Sequence, residues 1–160
     1  FHNSVKKRKP YYFGFIDHDC FLFRKICMSD ILDSSGMYGT ISRGREDAWN
    51  LHVITNFYKY DFVKDLPLDF RASYKHGLDT GGANYDMLYK RFFMKDYMLS
   101  HRGVRYTEQD ICRKDAVQHY EIIDERWFHI AATSHDQLVG DGDKKLFYAK
   151  GFLDAIMQTL

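Results

Sequence analysis

Proline is nearly missing from this chain, with two in 160 residues, and there is no low-complexity tract or internal repeat. A linker between domains would show as a run rich in proline, glycine or serine. The sequence is therefore read as one domain over residues 1–160. Cysteine is scarce too. Cys20, Cys27 and Cys112 have neither metal-ligand nor redox spacing, and an odd number argues against a disulfide framework. A reducing interior, the cytoplasm, is the expected setting. No apolar run approaches the roughly 18 residues of a membrane span, and no signal peptide is visible. An excess of one charge is also missing, since 23 Lys and Arg stand against 22 Asp and Glu for a net +1. Nothing in that balance calls for nucleic acid as a partner. The one basic run, "KKRK" at 6–9, reads as the solvated end of a helix, with a peripheral membrane contact as its other use.

What the chain does have is apolar mass. It is 45% hydrophobic and 17% aromatic, with 13 Phe and 12 Tyr, enough to bury roughly 70% of its unfolded surface. "FHNSVKKRKP" reads as a helix tail ending by Pro10, because the residue before a proline avoids the α region. "YYFGFI" reads as a short buried strand. Ser29 is placed to cap a short helix over Asp30–Asp33. "MYGTIS" and "NLHVITNFY" follow as strands. Tyr85, Leu88, Tyr89, Phe92 and Leu99 trace one face of a helix between Asn84 and Ser100. "HYEII" and "WFHIA", joined by Asp124-Glu125-Arg126, read as paired strands, and "KKLFYAKGFLDAIMQTL" as a closing helix. The expected fold is α/β, a mixed central sheet with helices packed against it.

Within this frame one stretch asks for explanation. "FGFIDHDCFLF" sets Asp17 and Asp19 one residue apart between apolar runs. In an extended segment residues i and i+2 point the same way, so the two carboxylates converge while His18 points elsewhere. Convergent anions repel unless a cation joins them, and oxygen ligands suit Mg²⁺ or Mn²⁺. The bland alternative is a loop in which each acid caps a backbone N–H or meets water. A second concentrated signal is "HGLDTGGANYD". There Gly81 and Gly82 would let backbone N–H groups meet a phosphate or a sugar hydroxyl, and Asp79 stands as a base or a helix cap. Asp110 in "YTEQDICR" is another candidate for the same proton transfer.

"FGFIDHDCFLF" resembles the metal-binding D-x-D segment of GT-A glycosyltransferases, "AWNLHVIT" the strand that often carries an Asn near the donor sugar, and "FHIAATSH" their H-x-x-G-x-x-K segment. The resemblance covers about residues 5–135. It implies a GT-A, Rossmann-like sheet and a Mn²⁺ or Mg²⁺ ion held by Asp17, Asp19 and His129. It further implies donor contacts from Asp17, Asn50, Gly81, Gly82 and His135, with Asp79 or Asp110 as catalytic acid–base. The implied reaction moves a sugar from a nucleotide-diphosphate sugar to a carbohydrate or other hydroxyl acceptor. Ala132 stands where the family has Gly, and His135 where it has Lys. The units that hold the nucleoside base precede the D-x-D in that family, so the chain is expected to be a portion of such a domain. Two other readings compete. Haloacid-dehalogenase-type phosphatases also end a first strand in D-x-D, with Asp17 as nucleophile, and "VGDGDKK" resembles their later Mg²⁺ segment; Phe21, however, stands where they have Thr or Val. A non-catalytic sugar-binding module is the other.

Overall fold

The computed structural model describes residues 5, 7–105, 118–129, 151, 154 and 157. Its strands are β1 (Tyr12–Ile16), β2 (Cys20–Leu22), β3 (Met37–Arg43), β4 (Trp49–Lys59), β5 (His101–Arg105), β6 (Gln118–Ile123) and β7 (Trp127–His129). Two α-helices have bounds among the described residues, α1 (Met28–Ser35) and α2 (Tyr60–Val63). Helical residues also occur at Val5, Lys7 and Arg8 and at Gly151, Asp154 and Met157. No helix of the described residues is long and apolar enough to cross a membrane.

The chain divides into two compact units, Phe1–Asp17 with Cys27–Leu99, and His18–Ile26 with Ser100–Leu160. The first holds a three-stranded sheet of order β1-β4-β3 and the second a four-stranded sheet of order β2-β7-β6-β5. Among the described residues every strand pairing is antiparallel. This overturns the expected Rossmann-like α/β fold with helices against one central sheet. The reason lies in β1. A short buried strand running into acids fits the Rossmann-like sheet that the resemblance implies, but β1 runs antiparallel along β4, with Ile16 opposite Thr55. Long-range pairing, not local pattern, chose the architecture.

The expected helix between Asn84 and Ser100 is also absent. That segment makes three separate 3₁₀ turns at Gly82–Asn84, Tyr89–Arg91 and Met94–Tyr97. Spacings of three fit a 3₁₀ turn as well as an α-helix, and five aromatic residues weaken the α alternative. Asn84 seals the choice: its amide donates to the carbonyls of Asp69 and Gly81 and accepts the Asp69 N–H. Ser29 does not cap α1 either, because Cys27 stands at that position and Ser29 lies inside the helix.

The core of the first unit gathers Met37, Trp49, Leu51, Tyr58, Val63, Leu68, Leu88 and Tyr89. At its centre Tyr58 and Tyr89 share a hydroxyl–hydroxyl hydrogen bond of 2.6 Å. Burial pushes the Tyr89 hydroxyl up to about 12 and holds Tyr58 well above its ordinary 10.0. Both stay protonated in the folded chain while an unfolded chain ionises them, so their stabilising effect is complete below pH 10 and is lost as pH rises toward 12. Denaturant titrations in that window should show stability falling by about 1.4 kcal/mol per pH unit for each tyrosine. The Tyr58→Phe/Tyr89→Phe double variant should remove most of that slope; an unchanged slope would assign it to other groups.

Candidate functional site

In the second unit β6 and β7 form a tight hairpin. Asp124 and Glu125 at its turn both take left-handed backbone angles, φ 51° and 52°, and the Asp124 carboxylate holds the Arg126 guanidinium. The turn sets the register, pairing Ile123 with Trp127 and therefore Glu121 with His129. β2 lies on the other side of β7, with Cys20 opposite His129. Directly paired residues share a face of a sheet, so Cys20, His129 and Glu121 form one row across three strands. Trp127 and Phe128 are 1% and 0% exposed and fix the strand that carries the histidine.

Asp19, in the turn just before β2, meets that row at its end. His129 Nε2 lies 3.5 Å from Asp19 Oδ1, and His129 Nδ1 lies 2.7 Å from Glu121 Oε1. All three residues are less than a tenth exposed. Two buried carboxylates flank one imidazole, an arrangement that favours positive charge between them. At the short Glu121 contact Nδ1 donates to the carboxylate, so a neutral ring would turn its Nε2 lone pair toward Asp19. A carboxylate oxygen and an imidazole lone pair face each other stably across a cation or a proton. The 3.5 Å separation exceeds a direct N–H···O bond of about 2.9 Å. It suits two ligands of one ion, each about 2.1 Å from it. A carboxylate behind the distal nitrogen is also the usual support of a metal-bound histidine. The residues present therefore fit a divalent cation.

The sequence signal for Asp17 and Asp19 took both to lie on an extended segment. Here Asp17 follows the end of β1, with its N–H on the Ile54 carbonyl at 3.1 Å, and His18 and Asp19 form a turn. The turn breaks the i, i+2 alternation. Ligand atoms of the consecutive residues Asp17, His18 and Asp19 consequently lie within 4.8 Å of one another, His18 included.

The remaining candidates sit in the first unit or outside the described residues. Asn50 on β4 is fully buried, and its amide donates to the carbonyls of Leu51 (3.0 Å) and Thr80 (2.9 Å). It fastens the "LDTGG" loop to the strand. Gly81 and Gly82 are buried as well, and their N–H groups go to Phe70 and Asp79 carbonyls. Gly81 is needed for its φ of 89°, and Gly82 for space, since a Cβ there would stand 2.4 Å from Leu78 Cβ. These glycines serve local packing, and their N–H groups are engaged by the Phe70 and Asp79 carbonyls. Asp79 is exposed; its Oδ1 accepts the Thr80 N–H at 2.7 Å and its Oδ2 lies 3.9 Å from His52 Nε2. Asp110 and His135 lie outside the described residues, as do Asp141 and Asp143 of "VGDGDKK".

Sequence reasoning missed Glu121. The signal was available: once "HYEII" and "WFHIA" are joined by three residues, position 121 falls opposite 129.

No family model, no curated protein and no solved structure matches the chain. What it does must be argued from its own residues.

Proposed function

We propose that this chain is a divalent-cation-dependent glycosyltransferase, moving a sugar from a nucleotide-diphosphate sugar to an acceptor hydroxyl. The observation that supports it is the buried Asp19–His129–Glu121 relay, with His129 Nε2 3.5 Å from one acid and Nδ1 2.7 Å from the other. Mn²⁺ or Mg²⁺ bound by Asp19 and His129 would act as a Lewis acid toward the charge that develops on a leaving diphosphate. Glu121 keeps the proton on Nδ1, so that His129 offers Nε2 as a neutral ligand. Burial of the three side chains excludes water and strengthens their pull on the ion. Asp17, next to this centre in sequence, adds a carboxylate for the cation or the donor.

The test begins with binding. Mn²⁺ at about 100 times its dissociation constant should stabilise the protein by about 2.7 kcal/mol, seen as a thermal shift that chelation reverses. Glu121→Gln should weaken Mn²⁺ binding by about 10–100-fold, the usual effect of a support behind a ligand. A protein indifferent to Mn²⁺ would leave a proton, not an ion, between Asp19 and His129, and the reading would fail. With Mn²⁺ bound, slow release of nucleoside diphosphate from nucleotide sugars is the expected activity. Inorganic phosphate released from small esters would favour the phosphatase instead.

A further inference from the structure

The first unit also carries a concentration of charge that the cation centre leaves unused. Residues 1–16 hold four Lys and Arg, consecutive at 6–9, and no Asp or Glu. Lys7, Arg8 and Lys9 are all exposed. Among the described residues none of these three shares an ion pair with a carboxylate. Lys59 and Lys64 of the same unit, by contrast, lie 2.7 and 3.1 Å from Asp33 and Asp61.

The backbone fixes where the run stands. The Lys9 N–H donates to the Val5 carbonyl at 2.9 Å, and Lys9 takes a left-handed φ of 46°, which closes a helical turn. Two residues on, the Tyr11 carbonyl accepts the Tyr60 N–H at 2.8 Å. The charges are therefore held at the end of the sheet where β1 starts and β4 stops, Tyr12 being paired with Lys59. A helix end attracts cations with the equivalent of about half a negative charge, so one basic residue satisfies it and four exceed it. The nearby acids do not compete for the run, since Asp33 accepts from Lys59 and from the Tyr12 hydroxyl, and Asp61 from Lys64.

Beside these cations Tyr11 is 86% exposed. A phenol ring next to unpaired positive charge matches a surface that is anionic outside and apolar beneath, where the hydroxyl stays wet and the ring does not. A cluster of four Lys and Arg is enough for anionic lipid. Nucleic acid asks for a broadly basic domain and a row of stacking rings, and this chain has a net charge of +1.

We propose that residues 6–11 dock the chain on a membrane surface rich in anionic phospholipid, with the basic side chains on lipid phosphates and the Tyr11 ring at headgroup level. The proposal is independent of the glycosyltransferase reading and of the cation centre. Each basic residue near such a surface strengthens binding roughly fivefold. The full chain is sedimented, with chelator present, with vesicles of phosphatidylcholine alone or mixed with phosphatidylserine. It should bind the mixed vesicles only, and binding should vanish near 1 M salt, where the screening length is about 3 Å. Lys7, Arg8 and Lys9 are exposed, so Lys6→Gln/Lys7→Gln/Arg8→Gln/Lys9→Gln should keep the parent's circular dichroism and bind about 10²–10³-fold more weakly. Arg45→Gln/Lys75→Gln/Arg91→Gln/Lys95→Gln removes the same charge from exposed positions elsewhere in the unit and should cost far less. Tyr11→Ser should weaken binding and leave its salt dependence unchanged. Absence of binding to the mixed vesicles, or equal losses in the two fourfold variants, overturns the proposal. So does tighter binding to duplex DNA, or displacement by an equal concentration of soluble glycerophosphoserine, which would make the ligand a free phosphate ester.

Discussion

Asp19→Asn should cut cation-dependent turnover by about 10²–10³-fold, the usual effect of removing one electrostatic stabiliser of a developing charge. The substitution keeps the side chain's shape and removes the charge that faces His129 Nε2 at 3.5 Å. Glu121 still holds Nδ1 in the variant, so the histidine stays oriented and the fold should survive. Two readouts separate the meanings: nucleoside diphosphate release against Mn²⁺ concentration, and circular dichroism of the unliganded variant. Retained structure with lost Mn²⁺ response supports a ligand role. Unfolding of the variant, together with a parent protein that ignores Mn²⁺, would make Asp19 a structural partner of His129.

Trp127→Ala is expected to give the largest loss of stability, about 3–5 kcal/mol, through lost burial and the cavity left behind. Trp127 is 1% exposed and opens β7 between β6 and β2, two residues before His129. Chemical denaturation monitored on the second unit should show the loss, and Mn²⁺ affinity should fall with it because the histidine loses its platform. Trp127→Phe, which fills most of the space, should recover much of both. A stable Trp127→Ala variant with unchanged Mn²⁺ affinity would mean that β7 is held by other contacts.

Local pattern revealed the strands and hid their partnership. Alternating residues in "NLHVITNFY" and "MYGTIS" announced β4 and β3, and the acidic turn announced the β6–β7 hairpin. Nothing local says that Cys20–Leu22 pairs with Trp127–His129, so the sequence assigns "CFLF" no strand partner. The same gap led to the α/β reading, since parallel and antiparallel strands of five residues look alike in sequence. Asp17 and Asp19 drew attention as acids amid apolar residues, and His129 through the resemblance of "FHIAATSH" to a family segment; the structure brings Asp19 and His129 to 3.5 Å. Glu121 was legible only through register. Asn50 was read as a ligand residue, yet its amide is occupied with Thr80 and Leu51; sequence cannot distinguish an amide that grips a loop from one that grips a ligand.

The pairing of Cys20 with His129 also sets a timetable. Asp19 leaves the ribosome early, while both residues it meets lie more than a hundred positions later. At about 5–20 residues per second, the acid waits several seconds or longer for its histidine. The first unit, complete by Leu99, has all its strands well before then. Closing so long a loop is slow and is repaid only when β7 docks. The pairing of Asp19 with His129 is thus a late event, and a nascent chain halted before residue 127 would carry Asp19 without His129 to meet it.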